Sequence, residues 1–374
     1  LMAKTHSLAY ASLPLLYGDE RLPQVVRRRL ADVEQPLAEA AAERYGWDEA
    51  ATDWREITRA PDIDLVDIAT PNDTHAEIAV DAARHGKHVF CEKPLAHRIE
   101  DARTMHRAVS EAGVTNQVDF AYRKWPAIQH AQQLVARGDV GQVRQFRARY
   151  LHDYAADPAV PISWRFTRGR AGAGSLADLG SHLIDLARFL VGDATRVMAR
   201  TFTFVQERPL PSDDAAGATA RLGRVDVDDA AHVWLDFDGG ASGTLETNWM
   251  ATGHKMDLSF EVTGDRGALE FSWLAPNELR FYSELDATDV QGFRSIIIGP
   301  QHPGAEAFWP VPGQGLGWGD AFLISVRDLL AAIAAGMPAQ PDFLDGLRAV
   351  EVVDAALTSA ATGAWADIAG PASQ

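Results

Sequence analysis

Cysteine is almost missing from this chain, with Cys91 standing alone. A single cysteine excludes an intramolecular disulfide and suits a reducing cytoplasm. Positive charge is also scarce. Lysine and arginine number 35 against 52 aspartates and glutamates, a formal net charge of −17. That balance argues against nucleic acid and anionic membrane surfaces as partners. No apolar run approaches a membrane span, no signal peptide is visible at the start, and there are no internal repeats. What is present is ordinary for a packed protein. Hydrophobic residues make up 47% and charged residues 23% of 374 residues, enough chain for two domains.

Residues 1–120 alternate helical and strand-like patterns. Leu8–Leu16 reads as the end of a helix and Gln24–Ala31 as a strand interrupted by three arginines. Helices follow over Pro36–Tyr45, Thr74–His85 and Ile99–Ala112, each closed by a glycine, and strands over Asp64–Ala69, His88–Cys91 and Val114–Val118. Alternation of this kind with short connections predicts a parallel sheet with right-handed crossovers. After Phe120 the texture changes. A helix at Pro126–Arg137, a strand at Val143–Tyr150 and an amphipathic helix at Ser175–Val191 precede strands at 196–204, 230–237, 241–249, 257–263 and 268–271. Asp238-Gly239-Gly240 and Gly264-Asp265-Arg266-Gly267 mark hairpins. Residues 206–228 and 299–319 read as long irregular loops, and helices at 321–335 and 343–359 close the chain. The expectation is an α/β Rossmann-type domain over 1–122 and an α+β domain with a large, mainly antiparallel open sheet over 123–374.

A dinucleotide fold opens with a strand and a glycine-rich turn. Neither is present, and the chain runs from Leu1-Met2-Ala3 straight into a helix. Two readings stay open. One is an N-terminal helix with no cofactor role. The other is a chain that starts inside the fingerprint, with Leu1, Met2 and Ala3 as its last three positions and Ala3 replacing the third glycine. The second reading predicts a first domain with a gap in its sheet and weak cofactor binding. Asp32 then falls at the end of the next strand, where a carboxylate hydrogen-bonds ribose hydroxyls and repels a 2′-phosphate, favouring NAD over NADP. Alone, Asp32 reads equally well as a helix cap.

The stretch DIATPNDTHAEIAVDAARHGKHVFCEKPLA resembles the corresponding segment of the Gfo/Idh/MocA oxidoreductases. Thr70-Pro71-Asn72 with His75 matches that family's turn beneath the nicotinamide ribose, and Glu92-Lys93-Pro94 its EKP signature. In the family the bond before this proline is often cis. The resemblance implies a nicotinamide-dependent enzyme with Lys93 in its cleft. Trp164 and Arg165 join the implied cofactor contacts.

Asp178 and His182 are four residues apart, so one helix would present them on one face, with Asp185 nearby. Taken alone they read as a surface acid and a satisfied core histidine. The family places an Asp-x-x-x-His pair on this helix, facing the nicotinamide. Oxidising a secondary alcohol requires removal of the hydroxyl proton as hydride leaves carbon. A neutral imidazole suits the base, an ammonium can stabilise charge growing on the oxygen, and a carboxylate can orient either partner. The implied roles are His182 as base, Lys93 as electrophilic donor and Asp178 as orienter. Asp178, His182 and Asp185 could also ligate a metal, but the mechanism needs none and none is expected.

Tyr122, Asp153 and Trp164 complete the expected substrate contacts, an aromatic and hydrogen-bonding set suited to a sugar ring. Ala121 stands where the family more often has Asn. Within the family, YLHDYAADPAVPISWRF and GPQHPGAEAFWPVPGQGLGWGD look most like the levoglucosan dehydrogenase branch. The expected substrate is a sugar, anhydrosugar or cyclitol. Self-association is expected through the outer face of the second sheet, with Val233, Leu235, Phe237, Leu245 and Trp249 as its apolar positions. Two rivals use the same scaffold: an NAD-dependent glycoside hydrolase or epimerase working through a keto intermediate, and a non-catalytic sugar or cofactor sensor.

Overall fold

The computed structural model describes residues 2–18, 22–211 and 221–368. It divides into two compact units, Leu1–Lys124 with Leu316–Leu347, and Trp125–Gly315 with Arg348–Gln374. The boundary thus differs from a cut at 122. The helix near residue 320, expected in the second domain, packs in the first unit instead.

The first unit opens with helix α1 (Met2–Leu16), followed by β1 (Arg29–Ala31), α2 (Gln35–Tyr45), β2 (Glu49–Ala51) and α3 (Arg55–Thr58). Then come β3 (Leu65–Ile68), α4 (His75–Arg84), β4 (His88–Cys91), α5 (Ile99–Ala112) and β5 (Asn116–Val118). The expected strand at 24–31 forms only over its last three residues, since the arginines before them interrupt the apolar pattern. All strand pairs are parallel, but the sheet is in two pieces, β1-β2 and β3-β4-β5. Among the described residues no strand joins them. Glycines end α2 and α5 in the left-handed conformation, Gly46 at φ 71° and Gly113 at φ 64°. Only glycine adopts that region without a Cβ penalty.

The second unit contains α6 (Pro126–Ala136), β6 (Val143–Leu151), α7 (Arg168–Ala171), α8 (Ser175–Asp178), α9 (Gly180–Leu190), β7 (Ala194–Phe202), β8 (Glu207–Pro209) and β9 (Leu222–Arg224). It continues through β10 (Ala230–Phe237), β11 (Ser242–Asn248), β12 (Asp257–Gly264), β13 (Gly267–Ser272), β14 (Glu278–Ser283) and β15 (Arg294–Ile297). Helix α10 (Trp318–Ala335) belongs to the first unit. Helix α11 (Phe343–Thr362) leads back to the second, which ends at β16 (Ala366–Asp367). The large sheet runs β15-β14-β13-β12-β6-β11-β10-β7-β16 and is antiparallel except at β6-β11. The strands β8 and β9 pair within the stretch expected to be irregular.

Alternation along β10 sets the two sheet faces apart. Val233, Leu235 and Phe237 point to the covered side with Leu245 and Trp249, and all five are 1–5% exposed. Helices α8 and α9 lie against that side. The apolar positions expected on an outer face therefore form the core. The opposite face carries Trp234, 44% exposed, among Arg147, Arg149, His232, Glu246, Glu261 and Arg280.

Candidate active site

In the first unit, the carboxyl ends of β3 and β4 carry the two family-like turns. The bond between Lys93 and Pro94 is cis, as the resemblance implied. Lys93 is half-buried and Glu92 is buried. The Glu92 Oε2 accepts the Lys93 backbone N–H at 3.1 Å. His75 is fully buried and braces both turns. Its Nε2 lies 3.0 Å from the Thr70 carbonyl, and its Nδ1 lies 3.2 Å from those of Pro94 and Leu95. Burial pushes its pKa down despite these carbonyls. His75, expected among the cofactor contacts, supports the backbone on either side. Thr70 is exposed, its hydroxyl accepting from Thr74 at 2.7 Å, while Asn72 is buried.

Asp32 follows β1 directly and is exposed. Its backbone N–H reaches the Ala51 carbonyl at 3.2 Å, and its Oδ1 accepts the Glu34 N–H at 3.1 Å. A carboxylate held at the carboxyl end of a parallel strand fits a ribose diol. Met2 and Ala3 form the first turn of α1, half-buried and exposed. Leu1 lies outside the described residues. Tyr122 is buried, 3.3 Å from the Trp318 indole N–H that donates to it.

The second unit holds Asp178 and His182. One continuous helix was expected, but α8 ends at Asp178 and α9 starts at Gly180, with Leu179 between them. The break lies between the two side chains. A Cβ at Gly180 would sit 3.1 Å from Leu176 Cδ1 and 3.2 Å from Thr247 Cγ2, so β11 crowds the start of α9. Asp178 is half-buried and accepts the Tyr154 hydroxyl at 2.5 Å. Desolvation and the Asp178 charge push the Tyr154 phenol well above its usual range, so it stays a donor. His182 is buried, its ring 6.0 Å from that of Tyr150.

Asp228 builds the start of α8, a role sequence reading missed. Its Oδ1 accepts the Gly174 N–H at 2.8 Å, and its Oδ2 accepts the Leu176 N–H at 2.8 Å and the Ser175 hydroxyl at 2.9 Å. The Ser175 N–H donates to its carbonyl at 2.9 Å. A side chain at Gly174 would collide with that carbonyl, 1.8 Å from the Cβ position. Burial raises the Asp228 pKa against these bonds. The only trace in the sequence is an acidic run, Asp226 to Asp229.

Asp153, expected to contact substrate, is tied elsewhere. Lys255 bonds both its oxygens and the Gly253 N–H reaches Oδ2 at 3.1 Å, with Lys255 holding its pKa down. That arrangement pins the loop bearing Tyr154. Trp164 is half-buried, with the exposed Arg165 guanidinium 4.3 Å from its ring centroid.

Comparison with known proteins adds the following. Residues 16–120 match the family described as "Oxidoreductase family, NAD-binding Rossmann fold", and residues 128–270 match the GFO/IDH/MocA C-terminal domain. The chain is 41% identical over 374 residues to a levoglucosan dehydrogenase of Pseudarthrobacter phenanthrenivorans, covering 98% of this chain and 95% of the relative. It is 30% identical to a scyllo-inositol 2-dehydrogenase (NAD(+)) of Bacillus subtilis, over 70% of this chain and 71% of that one. A levoglucosan dehydrogenase solved in complex with NADH and levoglucosan superposes with a TM-score of 0.94 at 40% identity, covering 99% and 97% of the two chains.

Proposed function

The chain belongs to the Gfo/Idh/MocA oxidoreductase family, and on that premise we propose that it is an NAD-dependent dehydrogenase oxidising a secondary hydroxyl of a sugar, anhydrosugar or cyclitol. The observation that carries this reading is near-full-length similarity to a levoglucosan dehydrogenase, joined to the motif residues in this chain. The levoglucosan-type anhydrosugar is the first substrate to test.

Bound NAD would supply the acceptor for the hydride. Asp32 would hold its adenosine ribose through the carboxylate, and the Thr70-Pro71-Asn72 turn braced by His75 would lie by the nicotinamide ribose. Trp164 and Arg165 remain candidates at the cofactor, and Tyr122 and Trp164 at the substrate. In the proposed chemistry His182 takes the hydroxyl proton as the carbon–hydrogen bond breaks. The Lys93 ammonium donates to the same oxygen and stabilises its developing charge. Asp178, with one oxygen held by the Tyr154 hydroxyl, offers the other to a neighbouring substrate hydroxyl. No step requires a metal.

No helix among the described residues is long and apolar enough to cross a membrane. A cytoplasmic location is part of this proposal, supported by the single cysteine, which allows no intramolecular disulfide. A second copy of the chain is the proposed partner for the open face around Trp234, where cross-strand pairs such as Arg147–Glu261 and Arg280–Glu270 alternate in sign.

Lys93→Ala and His182→Ala are the test. Each should lower turnover by about 10²–10⁴-fold while circular dichroism stays native. Near-normal rates for both would contradict the assignment.

A further inference from the structure

Three carboxylates meet one imidazole at the carboxyl ends of β3, β4 and β5, and the chemistry above uses none of the four. His6, on α1, is 2% exposed. Its Nδ1 lies 2.9 and 3.0 Å from the two Asp67 oxygens. Its Nε2 lies 3.2 Å from Glu92 Oε1 and 3.2 Å from Asp119 Oδ2. The Tyr10 hydroxyl donates to Asp67 at 3.1 Å, and that of Ser325 on α10 to Asp119 Oδ1 at 2.8 Å. The rings of Phe90 and Phe322 lie against the imidazole, at 5.2 and 6.0 Å between centroids. All these residues belong to the first unit.

Both ring nitrogens face carboxylate oxygens. A neutral imidazole has one N–H and would turn a lone pair toward a carboxylate on its other side, whereas the imidazolium donates on both. Burial alone would lower the His6 pKa. The Asp67 charge and the bonds to Asp119, Asp67 and Glu92 outweigh it and raise the pKa well above the usual range. Burial favours a protonated Glu92, yet His6 and Lys93 hold its pKa below the ordinary value. The two Glu92 oxygens divide their work. Oε1 faces His6, and Oε2 takes the backbone N–H of Lys93 at 3.1 Å. A continuous path of hydrogen bonds therefore runs from α1 through His6 and Glu92 to the peptide of Lys93. Without the His6 charge, Asp67, Glu92 and Asp119 would face one another in a desolvated pocket, and Glu92 would move or take up a proton.

We infer that His6 is a positioning residue for Lys93: it fixes the Glu92 carboxylate, and Glu92 fixes the backbone from which the lysine side chain departs. This rests on the reading of Lys93 as the donor at the reacting oxygen. The same atoms could instead hold a divalent metal, since the ligand atoms of His6, Glu92 and Asp119 lie within 4.8 Å of one another and Asp67 stands behind the imidazole. The two cases differ in whether Nε2 carries a proton.

The test is a double-mutant cycle of His6→Gln and Glu92→Gln, with His6→Leu and Lys93→Ala alongside. His6→Gln should lower kcat about tenfold to a hundredfold, the scale of a misplaced catalytic group, with the polyol KM little changed. His6→Leu, lacking any donor, should fall further. The double variant should be no worse than the poorer single one, because both act through one path. Nitrogen-15 spectra of labelled histidine should show His6 doubly protonated at neutral pH, a readout independent of turnover and of how well any variant folds. Additive losses, wild-type kcat in both His6 variants, a neutral His6, or one equivalent of bound divalent metal in the purified protein would overturn the inference. Lys93→Ala at near-normal rate would instead overturn the reading beneath it.

Discussion

Asp32 and Lys93 sit at the ends of parallel strands, where a few neighbouring residues decide the environment of a side chain. That locality made them legible. A strand, a proline turn and a charged residue within one short stretch carry their meaning in the sequence itself. The Asp153–Lys255 pair was not foreseen because the two residues are 102 apart, on a contact no local pattern announces. The Tyr154–Asp178 bond is similar: both residues were noticed, but nothing in their spacing joins them. At this scale the cofactor preference is the open point. Asp32→Ala should weaken NAD more than NADP, since it removes the ribose contact together with the repulsion against a 2′-phosphate. Steady-state kinetics with both cofactors checks this, and an unchanged preference would place Asp32 away from the ribose.

Elements bounded by glycine or proline were readable, and α2, α5 and α6 fall within one residue of their expected limits. The break between α8 and α9 was not, because the contacts around it are long-range: Asp228 bonds the start of α8 and Thr247 of β11 crowds Gly180 at the start of α9. Strands β14 and β15 were missed because both are short: β14 alternates exposed Glu278 and Arg280 with buried Leu279 and Phe281 over only a few residues, and β15 has no buried position to mark a face. At the ends of β3, β4 and β5 the His6 cluster makes stability depend on pH. The groups facing His6 are Asp67, Glu92 and Asp119, with the Tyr10 hydroxyl bonded to Asp67 and the Cys91 thiol near all three carboxylates. Its folded pKa lies above the unfolded value of about 6.5. Its stabilisation is therefore complete below about pH 6.5 and fades as pH rises through the folded pKa. Wild-type Tm should fall from neutral toward alkaline pH more steeply than that of His6→Gln, which has no proton to lose. Parallel slopes in thermal melts would contradict this.

The division into two units follows from texture, parallel alternation before residue 120 and long antiparallel strands after it. What the linear pattern hid was the return of α10 to the first unit. The face of the large sheet was misassigned for a simple physical reason. Period-two alternation identifies which residues share a face but not which face is covered, and α8 and α9 cover the apolar one. The remaining face, centred on Trp234, is the proposed contact with a second copy. Trp234→Arg should shift the protein toward monomer in light scattering at micromolar concentration, and a monomeric wild type would remove the basis for it. The proposed activity is net oxidation of a polyol. Its most direct measurement is the stoichiometry of a reaction with NAD and levoglucosan or a cyclitol, following reduced nicotinamide by absorbance and product by mass spectrometry. One reduced nicotinamide and one ketone, two mass units lighter than the substrate, should form per molecule consumed. Substrate conversion without accumulation of reduced nicotinamide would contradict it and favour the hydrolase or epimerase reading.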